Sequence, residues 1–248
     1  SRLALLQARS ALARLAPLRP DCSWEIVPFS TPGDRDRTTD LRDSPSDFFT
    51  RDLDDALRAG RIDCAIHSAK DVPDPVGDGL DWFWLPGRED PRDVLIRPAG
   101  LDMASLPADA RIGVSSGRRE AYCRSRFPNS RLLSIRGTIE ERLRQLDAGA
   151  YDLLVMAGAA LIRLGLQDRV TEWIPTDALP PPEGQGALAV TFRAEDARFR
   201  RLRRFFVKAV TFAAAGVGSA GACTLESLQA LMRADVVLHD TLFGHDLL

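Results

Sequence analysis

The sequence predicts an α/β protein of two lobes joined by a hinge. Three observations carry this. Segments with helical and strand periodicity alternate along the chain, the pattern of an α/β fold. Between two such series lies Pro86-Gly87-Arg88-Glu89-Asp90-Pro91-Arg92-Asp93, rich in turn formers and charge, as a crossing between domains is. A second punctuated stretch, Leu179 to Gly186, leads back into an apolar strand. A chain that leaves one α/β domain, builds another and returns sets two crossovers side by side. That makes a hinge, with a ligand cleft between the lobes.

Residues 1–16 predict a helix. Leu3, Leu6 and Leu12, with Ala4, Ala8 and Ala11, form its apolar stripe, and Pro17 and Pro20 end it. Trp24 to Phe29 alternates as a strand does. Residues 30–47 are polar and broken, a loop of a length that is often functional. Phe48 to Arg58 predicts an amphipathic helix with Phe49, Leu53, Ala56 and Leu57 on one face and Gly60 as its C-cap. The run from Asp63 to His67 predicts a buried strand that opens into a loop, because Pro73 soon stops the pattern. Trp82 to Leu85 and Val94 to Ile96 are further strands.

The second series begins with the strand Arg111 to Val114. The turn Ser115-Ser116-Gly117-Arg118-Arg119 opens a helix that runs to about Arg126. Leu132 to Ile135 is a strand, Ile139 to Ala148 a helix and Leu153 to Met156 a strand, followed by an Ala-rich helix bearing Arg163. Leu188 to Phe192 is apolar enough for a central strand, and Arg193 to Arg204 is helical. The expected domains are residues 1–87 with about 187–205, then 88–186, then a separate segment at 210–248.

With 248 residues, 45% hydrophobic and 27% charged, the chain has an ordinary globular composition with room for more than one domain. A net charge of -2, without interleaved aromatic and basic residues, argues against nucleic acid. No apolar run approaches the ~20 residues that span a bilayer, and no secretory signal is visible. Cys22, Cys64, Cys123 and Cys223 are scattered, with neither CxxC spacing nor the density of a disulfide scaffold. The expected compartment is a reducing cytoplasm.

The candidate chemistry sits at strand ends, where open α/β sheets bind ligands. Lys70 and Asp71 come just after the strand that ends at His67. A carboxylate beside an ammonium stays ionised and can stabilise a developing cation. Alone, such a pair is most often a solvated ion pair. Arg118, Arg119, Arg136 and Arg142 each stand just after a strand or in the first turns of the next helix, so they converge on one mouth. Ser115 and Ser116 add hydroxyls at a helix N-terminus, an anion site that arginines deepen. Arg163 stands further along its helix and faces in or out. A polyanion with carboxylates is the natural ligand of such a set. Gly184 and Gly186 flank Gln185, so backbone can approach a ligand closely there.

These stretches carry a family resemblance. His67-Ser68-Ala69-Lys70-Asp71-Val72-Pro73, Arg88 to Asp93, Ser115 to Arg119, Ile135-Arg136-Gly137, Arg142-Leu143, Arg163-Leu164-Gly165-Leu166 and Gly184-Gln185-Gly186-Ala187 occur in the order, and nearly the spacing, of the hydroxymethylbilane synthases, also called porphobilinogen deaminases. The chain resembles them from Ser1 to about residue 192. The resemblance implies two lobes like a periplasmic binding protein, a cytoplasmic monomer, and an activity that joins four porphobilinogen molecules head to tail with release of ammonia. It implies that Asp71 is catalytic, stabilising positive charge on a pyrrole nitrogen and managing proton transfer. It implies that Lys70, Ser115, Ser116, Arg118, Arg119, Arg136 and Arg142 hold the carboxylates of a dipyrromethane cofactor. Gln185 matches the hinge glutamine, and Ser1 and Arg163 match substrate contacts. The partners implied are porphobilinogen and a linear pyrrole chain.

The chain departs from that pattern in two places. Ser44-Pro45-Ser46-Asp47 stands where the family has Gly-Gly-Lys-Gly, leaving Arg42 and Arg51 as substitutes for a lysine. The family's Gly-Gly-Cys cofactor loop has no match, so the attachment cysteine is not identified. Gly216-Val217-Gly218, Thr224-Leu225 and Ala234-Asp235-Val236-Val237 resemble instead the opening of a tetrapyrrole methylase, such as uroporphyrinogen-III C-methyltransferase. In that register Cys223 fills an apolar helix position. The expectation is a fusion of two enzymes of one pathway, cut at both ends and lacking the deaminase's third domain. The alternative reading is a binding protein that closes on a polycarboxylate without turning it over.

Overall fold

In a computed structural model of the chain, residues 1–30, 47–48 and 50–206 are described. Two sheets organise them. The first has the order β1-β8-β2: β1 is Cys64–Ser68, β2 is Leu80–Trp84 and β8 is Leu188–Arg193. Both outer strands run antiparallel to β8, with Ile66 opposite Val190 and Phe83 opposite the same Val190. As expected for a central strand, Leu188, Ala189, Val190 and Phe192 are fully buried.

Helices cover both faces of this sheet. Helix α1, Arg2–Leu15, and helix α6, Ala197–Phe206, pack Ala11, Leu15, Phe199 and Leu202 against Phe83, Leu188, Val190 and Phe192. Helix α2, Arg51–Arg58, sets Leu57 against Ala65 and Leu80 on the other face. It is shorter than the sequence predicts. Asp47 and Phe48 form a turn before it, and Arg51 pairs with Asp47 at 2.7 Å. Gly60 comes just past its end at φ +66, the conformation a glycine C-cap supplies.

The expected strand at Trp24–Phe29 is not in a ladder among the described residues. Trp24 packs otherwise, its ring meeting Phe199 edge-on at 6.3 Å, while Val27 is exposed. Pro28 also lacks the N–H a paired strand needs.

The second sheet has the order β5-β4-β6-β3-β7. Its strands are β3 Asp93–Ile96, β4 Arg111–Val114, β5 Arg131–Ser134, β6 Leu153–Ala157 and β7 Glu172–Trp173. β4 runs parallel to β5 and β6, while β3 runs antiparallel to β6 and β7. Helix α3, Gly117–Arg126, contributes Cys123 to one face beside Ile112, Val114 and Val155. Helices α4, Ile139–Asp147, and α5, Gly158–Leu164, cover the other with Leu143, Leu146 and Leu161. Burial on both faces is why Val94–Ile96 of β3 and the whole of β6 are apolar without alternation.

The chain passes between the sheets twice, from β2 to β3 and from β7 to β8. Arg88 Nε donates to Gln185 O at 2.7 Å, and Glu89 N–H donates to Gly186 O at 3.0 Å, so the two crossovers are bonded to each other. Gly184 and Gly186 take φ +71 and +88. The sequence suggests that their bareness admits a ligand, but the close neighbours are the chain's own backbone. A Cβ on Gly184 would meet Ala69 C and Lys70 N at 2.9 Å, and one on Gly186 would meet Glu89 O at 2.4 Å.

Candidate active site

Strand β1 ends on Ser68, and one 3-10 turn, Ala69–Asp71, carries Lys70 and Asp71 off the sheet edge. The turn is anchored by Ala69 N–H donating to Ala187 O at 3.0 Å and closed by Val72 N–H donating to Ala69 O at 3.3 Å. Behind it, His67 is buried against Thr191 Oγ1 at 2.9 Å, and burial pulls its imidazole down to about 4. His67 is therefore a neutral support for the strand and takes no part in charge.

Lys70 Nζ donates to Gln185 Oε1 at 3.1 Å. Burial, then the nearby Arg119, pull its amine down to about 8, with Asp71 and Asp93 opposing. Asp71 has an exposed surface at the turn. Crowding by the surrounding protein raises its carboxyl, while Lys70 and Arg119 draw it back.

The second sheet supplies the cations. Ser115 and Ser116 come directly after β4, and Ser116 Oγ caps α3 by accepting from Arg119 N–H at 3.4 Å. Arg118 Nη1 donates to Pro180 O at 2.8 Å, and its Nη2 pairs with Asp93 Oδ2. Arg119 meets Asp93 Oδ1 through Nε at 3.1 Å and Nη2 at 2.7 Å. Asp93 has no exposed side-chain surface. Burial alone would raise its carboxyl, but the two guanidiniums outweigh that and hold it below the ordinary range. Gln185 Nε2 donates to the same carboxylate at 3.2 Å and to Pro91 O at 2.7 Å.

Ser115 Oγ joins the remaining pair, 3.5 Å from Arg119 Nη1 and 3.3 Å from Arg142 Nη1. A capping box, Thr138 with Glu141, starts the helix on which Arg142 stands. Arg142 Nε donates to Gly137 O at 2.9 Å. Burial first, then Arg119 and Arg136, pull its guanidinium down to about 10. Among the described residues Arg142 has no carboxylate partner within ion-pair distance. Arg136 lies with its guanidinium 5.6 Å from the Phe48 ring centroid, and it borders an open groove with Gln145 and Tyr151.

Of the four arginines expected at one mouth, Arg118, Arg119 and Arg142 share one continuous set of hydrogen bonds, through Asp93, with Lys70, Ser115 and Gln185. Arg163 is committed to the crossover: it donates to Gly186 O. Ser1 is elsewhere. Its Oγ accepts from Ala4 N–H at 3.2 Å as the N-cap of α1, on the wall of a cavity of about 670 Å³ between α1, β1 and residues 22–29. Arg19, Arg61 and Arg198 line that cavity, but Arg19 is paired with Asp21 and Arg198 with Asp63 and Asp196. Arg51 is held by Asp47. Arg42 and Cys223 lie outside the described residues. Burial raises the thiols of Cys123, in the core, and of Cys64, half-buried on β1, to about 12, so both stay protonated, while Cys22 is half-buried on the cavity wall.

Asp93 is the member that sequence reasoning missed. Its linear signals are an acid that opens the apolar run Val94-Leu95-Ile96 and its place at the end of the Arg88 to Asp93 stretch.

Comparison with known proteins adds a family. A family profile described as "Porphobilinogen deaminase, dipyromethane cofactor binding domain" matches residues 1–201. A porphobilinogen deaminase of Acidithiobacillus ferrooxidans is 40% identical over 208 residues, which is 82% of this chain and 66% of that protein. Those of Syntrophotalea carbinolica and Deinococcus deserti are 41% and 40% identical, over 80% and 78% of this chain and 63% and 64% of theirs. The chain thus spans 63% to 66% of the length of these relatives. Among solved structures, the BvgS VFT2 domain of Bordetella pertussis aligns with a TM-score of 0.47 at 16% identity, over 78% of this chain and 74% of that one. A periplasmic substrate-binding protein of an ABC transporter from Coxiella burnetii aligns with a TM-score of 0.44 at 15% identity, over 81% and 84%.

Proposed function

The chain belongs to the porphobilinogen deaminase family, and on that premise we propose that it acts as a hydroxymethylbilane synthase, joining four porphobilinogen molecules head to tail with release of ammonia. The observation that carries this reading is Arg142. A half-buried guanidinium with no carboxylate partner among the described residues, its charge disfavoured by its surroundings and by two neighbouring arginines, calls for an anion from outside. Porphobilinogen brings two carboxylates per pyrrole, and a growing chain brings more.

The side chains divide the work. Arg118, Arg119, Arg136 and Arg142, with Ser115 and Ser116, bind acetate and propionate groups and fix the pyrroles in position. Asp71, beside Lys70, holds the positive charge that develops on a pyrrole nitrogen and moves its proton. Arg163 and Gln185 hold the hinge, and Ser1 is a substrate contact. A dipyrromethane cofactor fits this cation-rich donor set, and when bound it supplies the primer on which the chain grows. Cys64 and Cys123 do not fit as its attachment point, because both thiols stay protonated and neither joins the arginine cluster. The domain assignment is 1–87 with about 187–205, then 88–186. Residues 210–248 lie outside the described residues, and their Gly216-Val217-Gly218 and Ala234-Asp235-Val236-Val237 support a methylase-like opening. The protein is proposed to work in the cytoplasm as a monomer. No described helix is long and apolar enough to cross a membrane.

A second reading rests on those two protonated thiols: the chain binds porphobilinogen and its oligomers without turning them over. Ammonia release from added porphobilinogen separates the two. Synthase activity predicts release by the parent, none by Asp71→Asn, and porphobilinogen binding by both. Binding without release by the parent selects the second reading. Release that persists in Asp71→Asn removes the catalytic role given to Asp71.

A further inference from the structure

We propose that Asp93 is the positioning residue that fixes Arg118, Arg119 and Gln185 as one unit, so that the anion-binding arginines and the hinge keep a single alignment with Lys70. The inference rests on the reading of the arginine set as a carboxylate site and extends it to a residue with no ligand contact of its own.

The geometry carries it. Asp93 is the first residue of β3, placed by its pairing with Ala157 of β6 and by its carbonyl, which accepts from Ile174 N–H at 2.9 Å. Its carboxylate is fully enclosed. Oδ1 accepts from Arg119 Nε at 3.1 Å, Arg119 Nη2 at 2.7 Å and Gln185 Nε2 at 3.2 Å, and Oδ2 accepts from Arg118 Nη2. One buried group therefore holds two arginines of the second sheet and the glutamine of the return crossover. Through that glutamine it reaches Lys70 of the first sheet, whose Nζ lies 3.1 Å from Gln185 Oε1. Lone guanidiniums have many rotamers, and ordering them costs entropy that a fixed acceptor settles in advance. A bidentate acceptor also fixes the plane of the Arg119 guanidinium.

Two roles for an acid beside anion-binding arginines make opposite predictions. A carboxylate that merely competes with the ligand weakens binding, so its removal tightens binding. A positioning carboxylate leaves the arginines misaligned when it goes. The experiment measures porphobilinogen binding by calorimetry for the parent, Asp93→Asn, Arg119→Gln and the double variant. Positioning predicts that Asp93→Asn weakens binding by at least about tenfold, despite the added positive charge. It also predicts that the double variant loses less than the sum of the two single losses, because part of the effect of Asp93 passes through Arg119. Equal or tighter binding by Asp93→Asn, or losses that add, overturns the proposal. The double variant removes both halves of the buried ion pair, which keeps the cycle readable if Asp93→Asn alone folds poorly.

A second readout needs no ligand. Lys70 is one of two lysines in the chain, the other being Lys208. Lysine-selective carbon-13 NMR thus gives two side-chain titrations, assigned with Lys208→Arg. The charge of Asp93 raises the Lys70 amine, so Asp93→Asn lowers its titration midpoint by more than about 0.5 unit if the carboxylate is held close to Lys70, as the Gln185 bridge between them requires. A parent that binds no porphobilinogen removes the proposed function, and Asp93 is then judged on this titration alone. An unmoved Lys70 midpoint overturns the proposal.

Discussion

Gln185 stands between Lys70 and Pro91: its Oε1 accepts from Lys70 Nζ at 3.1 Å and its Nε2 donates to Pro91 O at 2.7 Å. Lys70 belongs to the turn after β1, and Pro91 to the outward crossover. A single amide from the return crossover therefore satisfies both. Gln185 is only 1% exposed, so water cannot replace what it supplies. Gln185→Leu keeps most of the volume and removes every one of these bonds. The expected loss of stability is about 2–3 kcal/mol, the cost of leaving buried polar groups unpaired. Urea unfolding measures it. A change below ~0.5 kcal/mol would show that the bridge contributes nothing.

Lys70 ties ligand binding to pH. Burial leads the causes that bring its amine from 10.5 to about 8. Between those two values the unfolded chain holds a proton that the folded chain has shed, so this group makes stability rise with pH across that window and imposes its full cost below it. Carboxylate binding has the opposite sense, because only the ammonium attracts the anion. Porphobilinogen affinity is expected to fall roughly tenfold between about pH 7 and 9.5 as the amine empties. Lys70→Gln should bind less tightly at the lower pH and show a flatter profile. A profile equally steep in Lys70→Gln would assign the titration to another group.

Much of this was legible in the sequence, for a physical reason. Strands β4 and β6 are covered by helices on both faces, so their apolar runs stand out, and Arg118, Arg119 and Arg142 are found by reading the residues that come after each strand. Strand β7 could not be found that way. Glu172–Trp173 is too short to carry a period and exists because Val94 and Leu95 offer it a register. The alternation at Trp24–Phe29 misled because packing against α6 and pairing in a sheet both select apolar side chains. Asp93 was hidden for another reason. Enclosure of a carboxylate by two arginines and a glutamine depends on residues 25 to 92 positions away.

Gly186 shows the same limit at the backbone. Its φ is +88, and a Cβ there would lie 2.4 Å from Glu89 O, an atom held by the bonding of the two crossovers. Neither the strain nor the clash can relax without parting those crossovers. Gly186→Ala is expected to cost roughly 2–4 kcal/mol. Gly165→Ala is the control: φ there is +69, yet nothing lies within 4 Å of an added Cβ, so only the conformational strain of about 1–2 kcal/mol remains. Thermal unfolding of both variants separates the clash from the strain. Equal losses would mean that the crossovers yield freely.

The last expectation concerns how Arg142 is aimed. Thr138 Oγ1 accepts from Glu141 N–H at 3.2 Å, and Glu141 Oε2 accepts from Thr138 N–H at 2.8 Å, which starts α4 at a fixed point. Arg142 lies in the first turn and a little beyond, where its Nε reaches back to Gly137 O at 2.9 Å. Loss of the cap frays the turn that carries this half-buried guanidinium. Thr138→Ala is expected to cost about 1 kcal/mol of stability. Its effect on porphobilinogen affinity is expected to be larger than that alone implies, because Arg142 loses its alignment with Ser115 as well as its helix start. Thr138→Ser keeps the capping oxygen and should restore both. The decisive comparison is affinity against stability across the three proteins: if Thr138→Ala weakens folding and leaves affinity unchanged, the cap serves the helix alone and Arg142 is aimed by its bonds to Gly137 and Ser115.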